Sequence, residues 1–331
     1  MRAPEARRDA GGAAPDAGAP LPACPITGEP AVARVQTVSA RLLHDLWRYS
    51  HGVAPTPLRR DGARIGLYRS PCGLMFFHPR LEGDAEFYGR FYRRWRVHAR
   101  IGRFAAERVE YLAAAAHVRP GDRVLEVGAG SAHFAPHLPP GARHVGLDPH
   151  AGEYAGAEGI LAETVEEHAA RRPEAYDVAC AFQVIEHVAE PRALAAGMLR
   201  CLRPGGLLIL VAPLWPSAIT RVPNFALNAP PHHLTWWSER AFAALARVLG
   251  LEPVAIERLP PTPHQGLIHW MERLSPVLAR DEGPYFRPRW RWHLGLAGAY
   301  LMARLAYAVR PLPRGATPMD VMLVARKPVR G

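Results

Sequence analysis

The feature that most constrains the fold is a series of short apolar segments in the middle of the chain. Helix-like stretches separate these segments, most clearly at residues 192–202. Strands that are apolar on both faces and alternate with helices are typical of a parallel sheet covered by helices on both sides. The segments that predict such strands are residues 123–127, 144–147, 160–161, 176–182 and 207–211.

Later segments complete the predicted sheet. Residues 238–249 predict a helix that begins after Ser238 and ends at Gly250, and residues 254–256 and 320–325 predict two further strands. The pattern therefore predicts a Rossmann-like α/β fold. Its seven-stranded, mostly parallel sheet carries helices on both faces, and a small N-terminal module and a helical insertion before the last strand are added to it.

The same pattern divides the chain into consecutive parts. Its N-terminal tail is rich in Ala, Gly and Pro and buries too little apolar surface to become ordered. The predicted parts are 1–22 as a disordered tail, 23–80 as the N-terminal module, 81–118 as a helical cover segment, 119–258 as the core, 259–317 as a helical insertion or substrate lid, and 318–331 as the final strand and tail.

The charge of the chain is strongly positive. The formal net charge is +11, and Lys327 is the only lysine, so arginine supplies nearly all of the basic residues. This balance favours an anionic partner such as a nucleic acid, a membrane surface or an acidic substrate. A solvated arginine-rich surface is the alternative, and composition alone does not separate the two.

Cysteine usage and hydropathy bear on the environment of the chain. The four cysteines are few and irregularly spaced, which argues against a disulfide-stapled secreted protein, and we expect a cytoplasmic protein. Residues 290–309 form the most apolar stretch, but Arg291, His293 and Arg304 interrupt it, so a spanning helix is not expected. A core or lid helix and a helix at a membrane surface both remain open.

A glycine turn follows the first predicted strand of the core. Gly128 and Gly130 form the turn, and Asp148 follows Gly128 by 20 residues, at the end of the second strand. In open parallel sheets such glycines let backbone amides approach a ligand, and such an acid binds ribose hydroxyls. His133 stands where a dinucleotide fingerprint requires its third glycine, so a nicotinamide or flavin site is disfavoured.

The alternative pattern is acid-x-Gly-x-Gly-x-Gly, with Glu126 as the acid and Ala132 in the last glycine position. Polar residues also end the next strands, namely Glu163 and the segment Gln183 to His187. A purely structural sheet has no reason to place acids repeatedly at one edge, since each buried charge needs compensation. The sequence therefore predicts a ligand site at the carboxyl ends of the strands.

Taken together, these segments resemble the class I S-adenosylmethionine-dependent methyltransferases, in their broad methyltransferase-domain branch. The resemblance covers about residues 120–258, and residues 163–168 with 186–187 are similar to ubiquinone-biosynthesis O-methyltransferases. The segments that resemble the family motifs are residues 124–130, 146–148, 176–178, 183–188 and 202–206.

The resemblance implies S-adenosylmethionine as cofactor and a role for each matching residue. Asp148 would bind the ribose, Glu163 the adenine edge, and the surroundings of Gln183 would line the mouth for methyl transfer. Tyr92, in the cover segment, would contact the cofactor. The methionine portion would be held by Glu126 and by the turn Gly128, Ala129 and Gly130.

The N-terminal module is similar to a zinc-ribbon-like module found in some members of this family. That module carries two cysteine pairs, whereas this chain keeps Cys24 and Cys72 and has Thr27 and Arg69 in the other two positions. Structural zinc needs four ligands, so a degenerate module without metal is expected.

Methyl transfer to a hydroxyl group requires removal of its proton, and histidine is suited to this role. His187 follows the fourth strand of the core, and His232 and His233 lie in a loop after the fifth. Packing or helix capping by His187 and ordering of the loop by the histidine pair are the structural alternatives.

The sequence thus predicts methyl transfer to a small-molecule acceptor, with oxygen as the nucleophile. Trp270, Tyr285, Trp290 and Tyr300 in the insertion suggest an apolar or aromatic acceptor. A nucleic-acid methyltransferase is disfavoured, because enzymes that grip a flipped base typically carry Asn/Asp-Pro-Pro-aromatic where this chain has Gln183-Val-Ile-Glu. An inactive binding protein that kept the fold is the third alternative.

Overall fold

The computed structural model describes residues 20–59, 62–149 and 159–329. Most of the predicted N-terminal tail lies outside the described residues, as does most of the segment between Asp148 and Glu163. The strands are β1 (Ala33–Ser39), β2 (Arg64–Arg69), β3 (Met75–His78), β4 (Arg123–Val127), β5 (Arg143–Leu147), β6 (Ile160–Leu161), β7 (Tyr176–Phe182), β8 (Leu202–Pro213), β9 (Thr235–Trp236), β10 (Glu252–Leu259) and β11 (Asp320–Arg326). The α-helices are α1 (Ala40–His51), α2 (Ala85–Trp95), α3 (Val97–Phe104), α4 (Val109–Ala115), α5 (Val165–Arg171), α6 (Pro191–Cys201), α7 (Ala218–Arg221), α8 (Glu239–Val248), α9 (Gly266–Leu274) and α10 (Trp290–Val309).

The larger sheet confirms the predicted α/β fold. In the described part of the chain it has seven strands in the order β10-β11-β8-β7-β4-β5-β6. The strands from β8 to β6 run parallel to one another, whereas β11 lies antiparallel between β8 and β10. The carboxyl ends of the parallel strands therefore meet at one edge, where the sequence places Gly128, Asp148, Glu163 and Gln183.

Burial on both faces explains why these strands are continuous apolar runs. Leu208 and Leu210 of β8 pack in the core on one face, together with α5, α6 and α8, while Ile209 and Val211 pack on the opposite face with α4. All four side chains are fully buried. Each face thus gains roughly 1.5–3 kcal/mol from each fully buried aliphatic side chain.

The N-terminal module forms a second sheet that also uses a strand of the core. Its antiparallel order is β1-β2-β3-β9, and β9 lies in the sequence between β8 and α8. Helix α1 within this module was not predicted. Ser39 caps it by accepting a hydrogen bond from the Leu42 N–H, and Gly52 ends it with a φ of 67°. Leu43, Leu46 and Trp47 form its buried face.

The two remaining cysteines of the module come together in the interior. Cys24 Sγ lies 3.8 Å from Cys72 Sγ, which is in turn 3.2 Å from the Ser70 hydroxyl. Both cysteines are buried. They account for two of the four ligands that a structural zinc site needs, so the zinc-ribbon resemblance stays a prediction.

The cover segment consists of helices α2, α3 and α4. Asp84 caps α2 by accepting from the Phe87 N–H, and Arg96 separates α2 from α3 in a left-handed conformation with a φ of 48°. Arg93, Arg100 and Arg103 are exposed on either side of this break. Arg93 therefore lies on a different helix from Arg100 and Arg103.

The insertion before β11 contains α9 and α10, which pack against each other. In the described part of the chain, no helix is long and apolar enough to cross a membrane. Leu294, Leu301 and Leu305 of α10 are more than half exposed, at 62%, 62% and 64%. A role of α10 at a membrane surface stays a prediction.

The aromatic residues of the insertion lie in different surroundings. Tyr285 is buried against the N-terminal module, and its backbone N–H donates to the Gln36 side chain at 2.8 Å. Trp290 is 67% exposed, and Trp270 donates to the Arg310 carbonyl. The insertion therefore packs against the N-terminal module through Tyr285, and its aromatic residues do not form one continuous surface.

Candidate active site

The turn after β4 has the backbone conformation that a nucleotide-binding loop needs. Gly128, Gly130 and Ala132 all have positive φ, at 72°, 54° and 54°. The Gly130 N–H donates to Asp148 Oδ2 at 3.0 Å, so the predicted acid at the end of β5 faces the turn. This pairing joins the carboxyl ends of β4 and β5 at the sheet edge where ligands bind in open α/β folds.

Ala132 occupies the third glycine position of the motif. Its positive φ shows that this position requires the left-handed conformation that glycine adopts freely and alanine does not. Alanine therefore replaces glycine at this position, but the backbone keeps the conformation that the glycine pattern requires. Hydrogen bonds to Ala129 and Ala135 hold the loop in this conformation.

The segment after β7 packs directly over the turn. A Cβ on Gly128 would lie 2.4 Å from Val184 Cγ2, which is closer than such atoms approach. Glycine at this position thus allows the chain after β7 to contact the loop after β4. Val184 is also linked to the predicted catalytic region, because its carbonyl accepts the His187 N–H at 3.0 Å.

Glu126, predicted to hold the methionine portion, is almost fully buried within the sheet. His144 Nε2 on β5 donates to its carboxylate at 2.8 Å. Burial raises the pKa of Glu126, and the hydrogen bond from His144 opposes this effect. Ala129 is buried beside it, at 6% exposure.

Glu163, predicted to contact the adenine edge, lies at the rim of a cavity of about 290 Å³. Its carboxylate accepts from His168 Nδ1 at 2.6 Å and forms an ion pair with Arg171. His168 Nε2 lies 2.7 Å from the Tyr176 hydroxyl. The cavity is lined by Leu161, Ala162, Glu163, His168, Arg171 and Arg172.

Gln183 turns its side chain away from the turn after β4. It has a φ of 56°, and its Nε2 donates to Asp320 Oδ1 at 3.0 Å. Gln265 Nε2 donates to the other oxygen of Asp320 at 2.5 Å. Burial raises the pKa of Asp320 to about 7. The side chain of Gln183 is therefore engaged by Asp320.

Tyr92 lies on α2, beside the aromatic rings of Tyr88 and Phe91 at centroid distances of 5.7 Å each. It is partly buried and packs against the core of the N-terminal module.

The three predicted catalytic histidines come together in one cluster. One ring nitrogen from each of His187, His232 and His233 lies within 4.8 Å of the others. The ring centroids are separated by 4.3 Å between His187 and His232, by 4.9 Å between His187 and His233, and by 4.7 Å between His232 and His233. Burial lowers the pKa of His187 to about 4 and that of the other two well below its usual value.

Glu186 is a buried acid beside this cluster that the sequence analysis did not single out. It is fully buried, and neither carboxylate oxygen has a hydrogen-bond partner. Its Oε1 lies 3.7 Å from His187 Nε2. Burial raises the pKa of Glu186 to about 8. The signal in the sequence was its place beside His187, but only the fold shows that its side chain turns inward.

Aromatic side chains of α1 and α2 enclose the histidine cluster. Trp47, Tyr88 and Phe91 lie 5.7, 6.1 and 5.4 Å from the His232 ring, measured between centroids. The Trp47 indole N–H donates to the Pro230 carbonyl at 3.0 Å, which fixes the start of the histidine loop. The N-terminal module therefore supplies part of the wall around the histidines.

Comparison with known families identifies the core. Residues 94–256 match the family described as "Methyltransferase domain". This part of the chain is a class I S-adenosylmethionine-dependent methyltransferase domain. Its similarity to curated proteins is partial. A ubiquinone biosynthesis O-methyltransferase from Klebsiella pneumoniae is 36% identical over 97 residues, which is 26% of this chain and 40% of that protein.

A second relative of the methyltransferase domain is the ubiquinone biosynthesis O-methyltransferase of Escherichia coli O157:H7, 34% identical over 110 residues, or 30% of this chain and 46% of that protein. The matches thus span less than half the length of these relatives. Among solved structures, an S-adenosylmethionine-dependent methyltransferase from Archaeoglobus fulgidus has a TM-score of 0.44 and 16% identity, covering 74% of this chain and all of that one. Phosphoethanolamine N-methyltransferase 2 from Haemonchus contortus, in complex with S-adenosyl-L-methionine, has a TM-score of 0.42 and 15% identity, covering 67% of this chain and 52% of that one.

Proposed function

We propose that this chain transfers the methyl group of S-adenosylmethionine to an oxygen atom of a small-molecule acceptor. The observation that carries the proposal is the hydrogen bond between Gly130 and Asp148 across the glycine turn of a methyltransferase domain. It holds a carboxylate at the strand end where a ribose is bound in open α/β sheets.

The cofactor contacts follow from the positions of the predicted residues. Asp148 accepts hydrogen bonds from the ribose hydroxyls, and the backbone of Gly128, Ala129 and Gly130 approaches the methionine portion. Glu126 acts through its pair with His144 at the base of the turn. The proposed adenine side is the cavity beside Glu163.

Methyl transfer is an in-line displacement, so the protein mainly positions the acceptor against the methyl group. The histidine cluster is the proposed acceptor side, because Val184 links the His187 backbone to the turn. There His187, His232 and His233 would direct the hydroxyl group of the acceptor toward the methyl group. The partly buried Tyr92 and the backbone of Gln183 would border the cofactor on this side.

An aromatic or apolar acceptor with a hydroxyl group fits this arrangement best. Trp47, Tyr88 and Phe91 enclose the cluster and supply apolar surface beside the imidazoles. The ubiquinone-biosynthesis relatives, which are O-methyltransferases by name, support oxygen as the atom methylated.

Titration calorimetry with S-adenosylmethionine tests the cofactor site. The unaltered chain should bind, and Asp148→Ala should bind at least about 100-fold more weakly, because two charge-assisted hydrogen bonds contribute roughly 1.5–3 kcal/mol each. Asp122→Ala is the matched control, since Asp122 also accepts a backbone N–H, from Arg119 at 2.8 Å, but at the amino end of β4. Unchanged affinity in Asp148→Ala would contradict the site.

Two further measurements separate the alternative functions. An inactive binding protein would produce no S-adenosylhomocysteine with any hydroxylated aromatic acceptor, whether or not it binds the cofactor. A nucleic-acid methyltransferase would be retained on RNA or DNA with a steep dependence on salt and would methylate it.

A further inference from the structure

The histidine cluster has the composition and arrangement of a metal site. We propose that His187, His232 and His233 bind one divalent transition-metal ion, of the class represented by Zn²⁺, on the acceptor side of the methyltransferase domain. Three imidazoles with a remaining open position are a known ligand set for catalytic zinc. The proposal that an ion binds depends only on these three residues. The role of the ion in catalysis rests on the proposed function.

Hydrogen bonds fix two of the imidazoles with one nitrogen free to bind a metal. His187 Nδ1 donates to the His232 carbonyl at 2.7 Å, which leaves the lone pair on Nε2. His233 Nδ1 donates to Asn228 Oδ1 at 3.1 Å. The Asn228 amide is itself oriented, because its Nδ2 donates to the Ile219 carbonyl at 2.5 Å. Such outer contacts to a carbonyl or amide oxygen are typical of histidines that bind metals.

The third imidazole offers a nitrogen without a partner. His232 Nδ1 is buried and has no hydrogen-bond partner. A buried polar atom left in this state costs about 1–3 kcal/mol, and a metal ion bound there removes the cost. The atom is thus an independent indication that the cluster can bind a ligand.

Glu186 supplies a second independent indication. Its fully buried carboxylate has no hydrogen-bond partner on either oxygen, and Oε1 lies 3.7 Å from His187 Nε2. A buried polar group without a partner is disfavoured. A divalent ion among the histidines would balance the charge of the ionised carboxylate. Glu186 is therefore the proposed counter-charge of the site.

The spacing of the cluster is compatible with closure around an ion. Tetrahedral zinc with bonds of about 2.0–2.1 Å to nitrogen needs nitrogens separated by roughly 3.3 Å. The three nitrogens lie within 4.8 Å of one another. Side-chain rotations that move each nitrogen by about an ångström would bring them to the separation that zinc needs. His187 and His232 are partly exposed, which leaves a path for the ion to enter.

A metal ion here would activate the hydroxyl group of the acceptor. A hydroxyl oxygen bound to it loses its proton to solvent at a lower pH, as metal-bound water does. The oxygen lone pair then forms the bond to the methyl carbon while the carbon–sulfur bond breaks. The electron pair of that bond remains on sulfur, and the products are the methyl ether and S-adenosylhomocysteine.

The experiment titrates Zn²⁺ into the full chain after treatment with a chelator, and repeats the titration with Co²⁺ followed by visible absorption. We expect one ion per chain with a dissociation constant of about 1 µM or lower. His187→Ala and His233→Ala should each weaken binding at least about 100-fold, and Asn228→Leu about 10-fold, because outer contacts alone account for about 10–100-fold. His117→Ala is the matched control and should bind as the unaltered chain does.

Two results would overturn the inference: no stoichiometric binding by the unaltered chain, or binding that the histidine variants retain. Glu186→Gln keeps the side-chain volume and provides a second variant if an alanine variant fails to fold; it too should weaken Zn²⁺ binding. Cofactor titrations of the same variants distinguish this failure from that of the proposed function. Loss of metal with normal cofactor affinity supports the site, whereas Asp148→Ala should lose the cofactor and keep the metal.

Discussion

Replacing Ala132 by glycine should stabilise the protein, although it removes a methyl group. Ala132 has a φ of 54° in the glycine turn, and an L-residue in the left-handed region costs roughly 1–2 kcal/mol. Glycine removes this strain but loses roughly 0.5–1 kcal/mol through the greater freedom of the unfolded chain. The expected net gain in the free energy of unfolding is therefore about 0.5–1 kcal/mol.

Urea unfolding followed by circular dichroism, with S-adenosylmethionine absent, measures this gain. Ala135→Gly is the matched control, because Ala135 begins a short 3-10 helix three residues later and is not among the residues with positive φ. The control should lose about 0.5–1 kcal/mol, as glycine does in helices. If Ala132→Gly were as unstable as the control, the turn would not have the strained conformation described above.

Three further substitutions test the packing and electrostatics around the site. Burial raises the pKa of Asp320 to about 7, so the stability that this group contributes is complete below its unfolded pKa and is lost as the pH rises through 7. Between pH 6 and pH 8 the free energy of unfolding of the unaltered chain should therefore fall by about 1.4 kcal/mol more than that of Asp320→Asn, as measured by urea unfolding. Gly128→Ala should lower the free energy of unfolding by about 2–4 kcal/mol, because the new Cβ would lie 2.4 Å from Val184 Cγ2 and the residue has a positive φ. Adding Val184→Ala should recover the part of the loss that is due to the steric clash. A double variant no more stable than the single one would contradict this. Trp47→Phe should cost about 1–3 kcal/mol in thermal unfolding, because the Pro230 carbonyl loses its donor, and an unchanged transition would show that this bond does not contribute.

The sequence predicted the parts of the fold that depend on local pattern. The predicted strands at residues 123–127, 160–161 and 176–182 coincide with β4, β6 and β7. The apolar residues of β4 and β7 are buried on both faces, so in these two strands the hydrophobic run and the strand have the same bounds. Strand β8 begins earlier than predicted, at Leu202, and so includes Gly205, which has a φ of 80°.

The parts that could not be predicted depend on contacts between distant segments. The capping serine and the spacing of Leu43, Leu46 and Trp47 are a signal for α1 that the sequence contains. The histidines meet because the Leu234 N–H donates to the Glu186 carbonyl at 2.8 Å, which returns the loop to the end of β7. No periodicity in the sequence indicates such a contact. The proximity of the three histidines and the burial of Glu186 could therefore be seen only in the folded structure.

The pairing of β9 with β3 has a consequence for the way this molecule is divided. Met75 and Phe76 of β3 lie opposite Trp236 and Thr235, next to the two histidines of the loop. A fragment that starts at residue 94, where the family match begins, would leave this short strand with a bare edge and uncover the indole of Trp236. We therefore expect a fragment with the limits of the family match to be less stable than the whole chain.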